Sequence, residues 1–341
     1  MLSLFGEHAR RRGLIALIAL VAIPGLAAAI VTGLDSARFA AAQREAAAIA
    51  AAQPAIVPLE GPIVVAVQPG HWKIDELPAE HARRNRGIGA VYAGVRELDI
   101  NLAVVDALVP MIRARGWTAL VVPATVPPGL RADAFISVHA DWGADINRNG
   151  WKLAPPWRPS PAASDLAASL RAAFASRSEL REDVGGITVG MRGYFGFASH
   201  RYTNASSPYT PAALVELGFV TNTTERARMV SNPEYYAEII MDGLERHFFS
   251  WSRSDAASLV PRVFETMRIS EEGGAAFLTP DAGSRVVRRL EPGEPVRPVD
   301  ATDGWYEVRF RDPSQIAWIP SSALAQDRVA AATEADGQGN L

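Results

Sequence analysis

The stretch Pro211-Ala-Ala-Leu-Val-Glu-Leu-Gly-Phe-Val-Thr-Asn222 places one carboxylate inside an apolar run. A short apolar run that ends at a glycine, here Gly218, is typical of a buried strand. Because an ionised carboxylate buried in a strand costs several kcal/mol unless a partner compensates it, Glu216 suggests a working group or a neighbour of a metal. The alternative is a glutamate at a strand edge that points to water. This segment alone leaves both interpretations open.

Length and composition limit the kinds of fold and partner. A chain of 341 residues can hold two domains and further segments. Its formal net charge of −3 gives no sign of a polyanionic partner, so we expect no binding to nucleic acid. Cysteine is absent, which excludes disulfides and thiolate metal sites. Any metal would therefore need histidine and carboxylate ligands.

The N-terminal segment predicts export. A basic cluster at residues 8–12 precedes residues 13–34, a run of 22 residues without a charge, which is long enough to cross a bilayer as a helix. We predict a signal anchor over residues 1–35, with the N-terminus in the cytoplasm and the rest of the chain outside it in the cell envelope. The alternative is a cleaved signal peptide that ends near residues 27–29 and leaves a secreted protein.

Downstream of residue 60, apolar strands alternate with amphipathic helices. Strands are predicted at residues 61–71, 117–122, 133–141 and 212–219, with a strand or hairpin segment at 186–197. Helices are predicted from residue 96 and over residues 164–181 and 232–251. This alternation predicts an α/β domain with a mostly parallel sheet that is flanked by helices on both sides.

The pattern changes to short strands and turns after about residue 263. Alternation of Tyr306, Val308 and Phe310 with polar residues predicts a half-buried strand in a small all-β barrel. The predicted segments are an Ala/Pro-rich stalk (36–60), the α/β domain (61–251), a linker (252–261), the barrel (262–325) and a disordered tail (326–341).

Two histidines and two glutamates occupy comparable places in the predicted α/β domain. His71 follows the first strand, Glu97 begins a helix, His139 lies near the end of a strand, and Glu216 lies on the late strand. In a parallel sheet the carboxyl ends of the strands and the adjoining loops form one rim, where sites collect. Two histidines and one carboxylate are the ligands of a catalytic zinc, and a further carboxylate can act as general base. A single histidine is more often structural, and spacing does not show that these residues meet.

Four segments carry a resemblance to a known family: Pro69-Gly-His71, Arg96-Glu-Leu-Asp-Ile-Asn-Leu102, Ala132-Asp-Ala-Phe-Ile-Ser-Val-His-Ala140 and Leu214-Val-Glu-Leu-Gly-Phe-Val-Thr-Asn222. In order, spacing and context they resemble the zinc-dependent N-acetylmuramoyl-L-alanine amidases of the type 3 amidase family. The resemblance implies that His71, Glu97 and His139 bind zinc and that Glu216 is the catalytic carboxylate. It also implies that the substrate is peptidoglycan, cleaved at the amide between the lactyl group of N-acetylmuramic acid and L-alanine.

The chain departs from the family pattern at three places. Gln68 replaces the usual Asp, Trp72-Lys73 replaces a glycine pair, and Asp141 replaces the usual Asn. The connection between the second and third predicted strands is also shorter than the dozen or so residues of a usual parallel crossover. Two alternatives remain: a catalytically inactive, amidase-like wall-binding or regulatory protein, and a zinc peptidase that acts on stem peptides.

The second domain resembles a different family. Gly304-Trp-Tyr-Glu-Val-Arg309 and Ile316-Ala-Trp-Ile-Pro-Ser-Ser-Ala-Leu324 resemble bacterial SH3-like domains. The resemblance implies that this module binds wall peptides and tethers the enzyme to its polymer. The alternative is a module that packs on the catalytic domain or recognises another protein. A protein activator is possible, and the sequence does not identify one.

Overall fold

The computed structural model describes residues 59–84, 87–302, 304–310 and 315–325. The predicted anchor, nearly all of the predicted stalk and the predicted tail lie outside these residues. Within the described part, no helix combines the length and the apolar character that a membrane span needs. The chain divides after Val263 into two compact units.

The described residues of the first unit form seven strands and five α-helices. Its strands are β1 (Val64–Pro69), β2 (Val91–Tyr92), β3 (Val95–Arg96), β4 (Thr118–Val121), β5 (Ala134–Asp141), β6 (Lys152–Ala154) and β7 (Ala212–Phe219). Its α-helices are α1 (Glu97–Ala114), α2 (Pro161–Ala175), α3 (Val189–Arg192), α4 (Thr223–Ser231) and α5 (Pro233–Ser250). Single 3-10 turns occupy Ile74–Glu76, Ala79–Arg84, Phe195–Phe197 and Ala256–Leu259.

Five of these strands form one sheet in the order β4-β1-β5-β7-β6. The first four run parallel, and only β6 runs antiparallel, at the edge beside β7. The prediction of an α/β fold with a mostly parallel sheet is therefore confirmed. The connection after β4, which contains no helix, passes β1 and leads to β5 on its other side.

The two faces of the sheet are covered differently. Side chains that alternate along the strands, among them Val65, Ile136 and Val215, pack in one core with α1, α2 and α5. On the opposite face, Ala66 and other residues pack against loop segments, α3 and the neighbouring 3-10 turn. On this face the expectation of helices is met, among the α-helices of the described residues, by the short helix α3 alone. The segment after β4 forms no helix, because it is rich in proline, which lacks the backbone donor that a helix needs.

The prediction of a strand or hairpin segment at residues 186–197 was wrong. This segment forms α3 and a 3-10 turn. The Oγ1 of Thr188 accepts a hydrogen bond from the backbone N–H of Met191 at 3.1 Å, so Thr188 caps the amino end of α3 and favours a helical turn over a strand.

The second unit is built from short antiparallel strands. They are β8 (Met267–Arg268), β9 (Gly274–Phe277), β10 (Val286–Leu290), β11 (Pro295–Val296), β12 (Pro298–Thr302), β13 (Trp305–Phe310) and β14 (Gln315–Pro320). One sheet has the order β10-β9-β14-β13-β12, and β11 pairs with β8. Val308, Phe310 and Ile319 belong to a separate hydrophobic core. The described residues of this unit form strands and one 3-10 turn at Ser321–Ala323, and the likeness of the unit to SH3-like domains stays a prediction.

Candidate active site

His71 is positioned by the tight end of β1. The chain leaves the strand through Gly70, and His71 has a φ of 65°, in the left-handed region that non-glycine residues seldom adopt. Its Nδ1 lies 2.6 Å from the carbonyl oxygen of Gly87. When Nδ1 donates its proton to that carbonyl, Nε2 keeps a free lone pair. This Nε2 lies 3.2 Å from Oε1 of Glu97.

Glu97 is the first residue of α1, and its carboxylate is fixed by hydrogen bonds. Oε2 accepts the N–H of Ala90 at 2.8 Å, and Oε1 accepts the N–H of Ala140 at 3.2 Å. The amide of Asn101, one helical turn later, lies 3.4 Å from Oε1. A carboxylate also suits the amino end of a helix, where the backbone dipoles favour negative charge. These contacts hold a buried charge in one orientation.

His139 lies in β5 and completes the group. Its Nδ1 is 2.9 Å from Oε1 of Glu97, and the centroids of its ring and the His71 ring are 5.0 Å apart. The ring packs so closely on Gly70 that an added Cβ there would stand 2.4 Å from Cε1 of His139. A side chain at position 70 would therefore displace this histidine.

The three residues fit a metal ion. One ligand atom from each of His71, Glu97 and His139 lies within 4.8 Å of the others. Ligands on a tetrahedral zinc stand roughly 3.4 Å apart, given bond lengths of about 2.1 Å. The distances of 3.2 and 2.9 Å from Glu97 to the two histidines need only a small opening to accept such an ion. Two imidazoles and one carboxylate also match the donor set of catalytic zinc sites.

The charges of Glu97 and His71 stabilise each other. Burial disfavours the ionised Glu97, yet hydrogen bonds with His139 and His71 outweigh it and hold the pKa of this carboxyl well below its usual range. Burial also disfavours the charged form of His71, but the hydrogen bond and the charge of Glu97 raise the pKa of this imidazole above its ordinary value. The site thus holds a fixed negative charge that attracts a cation.

Glu216 lies in β7, directly beside His139 of β5 in the sheet register. Its side chain is partly accessible, while Oε2 is buried and has no hydrogen-bond partner among the described residues. Burial raises the pKa of Glu216 well above its ordinary value, and the negative charges of Asp141 and Glu97 add to this effect, against a smaller opposing influence of Lys152. A carboxyl of this kind can accept and return a proton near neutral pH.

One cleft of about 500 Å³ contains all four predicted residues. Exposed apolar side chains form part of its wall, namely Ile88, Val91 and Trp142. The structure therefore brings together every residue that the sequence proposed for the site, at the carboxyl ends of β1 and β5 and beside β7.

A family model described as N-acetylmuramoyl-L-alanine amidase matches residues 65–246. This match spans more than half of the chain and contains the cleft residues described above. The chain belongs to the N-acetylmuramoyl-L-alanine amidase family.

Solved structures of amidases are also similar to this chain. The amidase of Clostridium difficile 630 is 17% identical and has a TM-score of 0.41, over 57% of this chain and 100% of that one. Ami1 of Mycobacterium smegmatis is 20% identical with a TM-score of 0.40, over 55% and 98%. AmiC2 of Nostoc punctiforme is 18% identical with a TM-score of 0.39, over 56% and 99%. A search of curated proteins found no match.

The departure from the amidase pattern at Gln68 is accommodated by a buried hydrogen-bond network. The Gln68 amide oxygen accepts the hydroxyls of Ser137 at 2.8 Å and Tyr194 at 2.6 Å, and its amide nitrogen donates to the carbonyl of Pro123 at 2.7 Å. The Tyr194 ring packs edge-on against the His139 ring, and the two ring centroids are 5.7 Å apart. Gln68 therefore helps to hold a neighbour of His139 in place.

The other two departures differ in their physical character. Lys73, in place of a family glycine, has a φ of 57°, a conformation in which glycine avoids steric strain. Asp141 lines the cleft and forms an ion pair with Lys152. Sequence reasoning missed Lys152 because β6 was not predicted. A lysine within the apolar run Trp151-Lys-Leu-Ala154 was the available signal.

Proposed function

We propose that this protein is a zinc-dependent amidase that cleaves peptidoglycan between the lactyl group of N-acetylmuramic acid and L-alanine of the stem peptide. The observation that carries the proposal is the meeting of His71, Glu97 and His139 with Glu216 in one cleft. Membership of the amidase family supports the reaction and the substrate.

His71, Glu97 and His139 would hold the zinc ion, and Glu216 would move the proton. A zinc ion held by these residues would supply Lewis-acid polarisation of the substrate carbonyl and would lower the pKa of water. Glu216 accepts the proton of the attacking water at its carboxylate and returns it to the nitrogen of the leaving amine. Because its pKa is raised, Glu216 is a stronger base than an exposed glutamate and is also able to give the proton back.

Gln68 and Asp141 differ from the usual amidase pattern, and their contacts favour an active enzyme over an inactive wall-binding protein. Gln68 has hydrogen-bond partners for both ends of its amide, and Asp141 has a cationic partner in Lys152. Neither residue displaces a proposed ligand or Glu216. A stem peptidase would need a cation for the terminal carboxylate, and none of the described residues that line the cleft is Arg or Lys.

Digestion of purified sacculi by the protein tests this proposal. Mass spectrometry of the soluble fragments should show free stem peptides that begin with L-alanine, and their release should stop in a zinc chelator and return when zinc is restored. Shortened stems would identify a peptidase instead. Zinc-independent retention on sacculi without any release would identify a binding protein.

We further propose that residues 262–325 form an SH3-like module that binds wall peptides, and that residues 13–34 anchor the protein in the cytoplasmic membrane. The all-β architecture with its own core supports the module, and the uncharged run behind a basic flank supports the anchor. Membrane fractionation tests the anchor: the intact chain should sediment with membranes, and a shortened chain in the soluble fraction would show cleavage instead.

A further inference from the structure

A buried lysine stands beside Glu216 on the same face of the sheet. Lys152 of β6 is directly opposite Glu216 of β7, and His139 of β5 lies on the other side of Glu216. Side chains of directly paired residues lie on one face, with Cβ atoms about 5 Å apart in an antiparallel pair. The three strands therefore carry a row of His139, Glu216 and Lys152 across the sheet.

The surroundings of Lys152 are built to hold a charged ammonium. The residue is 2% exposed. Its Nζ forms an ion pair with Asp141 and lies 3.4 Å from Oδ2 of Asp183. The same Nζ lies 4.5 Å from the centroid of the Phe219 ring, within the range of a cation–π contact. Carboxylates and an aromatic face thus enclose the ammonium beside the cleft.

Stability alone is a weak reason for this arrangement. A buried ion pair is costly to desolvate, and apolar residues of similar volume often serve as well. The position has a chemical consequence, however, because Asp141 lines the cleft and its negative charge acts on Glu216. Without Lys152, Asp141 would lose the ammonium that pairs with it, whereas Asp183 would keep its ion pair with Arg148.

We propose that Lys152 is a positioning residue for amide hydrolysis: its ammonium fixes the Asp141 carboxylate in the cleft wall and balances the charge of Glu216 when Glu216 is the base. This inference rests on the proposed function, since it assigns Lys152 a part in that reaction. Lys152 does not touch the substrate in this account. It acts through Glu216 and Asp141.

Kinetics of Lys152→Met with a soluble muropeptide test the inference. We expect kcat to fall about 100-fold, the size of effect typical for loss of a fixed charge near a reacting group, while KM and zinc content stay within about 3-fold of the wild type. Lys152→Arg should restore much of kcat. The matched control is Arg148→Met, because Arg148 also contacts Asp183, at 2.8 Å, and its substitution should leave kcat unchanged. A Lys152→Met enzyme with wild-type kcat, or an equal loss in Arg148→Met, would overturn the inference.

A second variant covers the case in which Lys152→Met does not fold. Asp141→Asn combined with Lys152→Met removes both charges of the ion pair. Position 141 then carries no carboxylate that would be left without a cationic partner. This double variant should fold, bind zinc and still show the low kcat. Recovery of wild-type kcat would mean that the pair is only structural.

A double-mutant cycle on Lys152 and Glu216, measured by thermal denaturation, separates failure of this inference from failure of the proposed function. Lys152→Met should lower the Tm of the wild type, and it should lower the Tm of the Glu216→Gln variant by less than half as much. The reason is that the uncharged side chain at position 216 in this variant no longer needs a cation beside it. Equal shifts in the two backgrounds would overturn the link between Lys152 and Glu216. This result does not depend on turnover, whereas a wild type that releases no stem peptides contradicts the proposed function.

Discussion

Glu216 and Glu97 lie in the same cleft, and their surroundings shift the pKa values of the two carboxyls in opposite directions. Glu97 is buried but has hydrogen bonds with two histidines, and its pKa is held far below the usual range. Glu216 is partly accessible, but one of its carboxylate oxygens is buried without a hydrogen-bond partner among the described residues, and burial together with nearby negative charges raises its pKa. Two carboxyls whose pKa values are pushed apart suit different tasks, a permanent anion for metal binding and a base that exchanges protons.

Glu216→Gln should stabilise the metal-free protein at neutral pH. A raised carboxyl pKa means that the folded state binds the proton more tightly than the unfolded chain, so stability falls as pH rises from about 4.5 through the raised pKa. Glutamine removes this cost, which is about 1.4 kcal/mol for each pH unit by which the pKa is raised. We expect Tm to rise by about 2–4 °C per kcal/mol. The gain should be larger at pH 8 than at pH 5, and a gain that shrank as pH rose would refute the assigned direction.

His139→Ala should lose zinc. Removal of one of three protein ligands should weaken zinc affinity by at least about 100-fold, since even loss of an outer contact of a ligand can cost that much. Titration with a competing chelator measures the change. His200→Ala is the control, because His200 lies outside the cleft lining and its removal should leave affinity unaltered. Equal affinity of the His139→Ala and wild-type proteins would remove His139 from the ligand set.

At the scale of elements, the long strands and helices could be predicted from the sequence, whereas the short strand β6 could not. The strand Ala212–Phe219 and the start of α1 at Glu97 are where the patterns indicate. A strand that is buried on both faces leaves a continuous apolar run, and a helix that is buried along one side leaves a periodic apolar stripe. β6 has three residues, too few for a pattern. The register of β6 on β7 sets Lys152 opposite Glu216, from where its ammonium pairs with Asp141 of β5, and local sequence does not encode that register.

The site residues could be predicted for a similar reason. His71, Glu97, His139 and Glu216 each follow or lie within a strongly patterned element, so motif context places them on the same rim. Their hydrogen-bond partners could not be predicted in this way. Gly87 and Ala90 come from a loop that approaches the site only in the folded chain.

Gly243→Ala should destabilise the helical layer that supports the sheet. Gly243 of α5 lies so close to α2 that an added Cβ would stand 2.9 Å from the Cα of Leu170, and backbone cannot yield as a side-chain tip can. We expect a loss of about 1–3 kcal/mol, typical of overpacking, by chemical denaturation. Gly190→Ala in α3 is the matched control, since the nearest atom there is 3.4 Å away. A neutral Gly243→Ala would show that the two helices can move apart without cost.

At the scale of the whole molecule, the chain has two compact units, and the proposed function places catalysis in the first and attachment in the second. The first unit has cores on both faces of its own sheet, and the second has a core of its own. The proposed reaction needs only the first unit, because every residue of the cleft lies before Val263. The second unit would raise the time that the enzyme spends on its insoluble substrate.

Removal of residues 264–341 should therefore spare chemistry and weaken attachment. The shortened chain should keep zinc and its kcat on a soluble muropeptide within about 3-fold, while its retention on sacculi should fall by at least about 10-fold, as expected when one of two linked binding units is lost. Co-sedimentation with sacculi measures retention. Unchanged retention would assign the second unit to another partner.

The central claim is that Glu216 exchanges the proton and does not hold the metal. Turnover of sacculi by Glu216→Gln, at a zinc occupancy confirmed to equal that of the wild type, tests it most directly. The account predicts full zinc content and a loss of stem-peptide release of at least about 1,000-fold, within the range of a general base. Wild-type release by the zinc-loaded variant, or loss of zinc from it, would contradict the account.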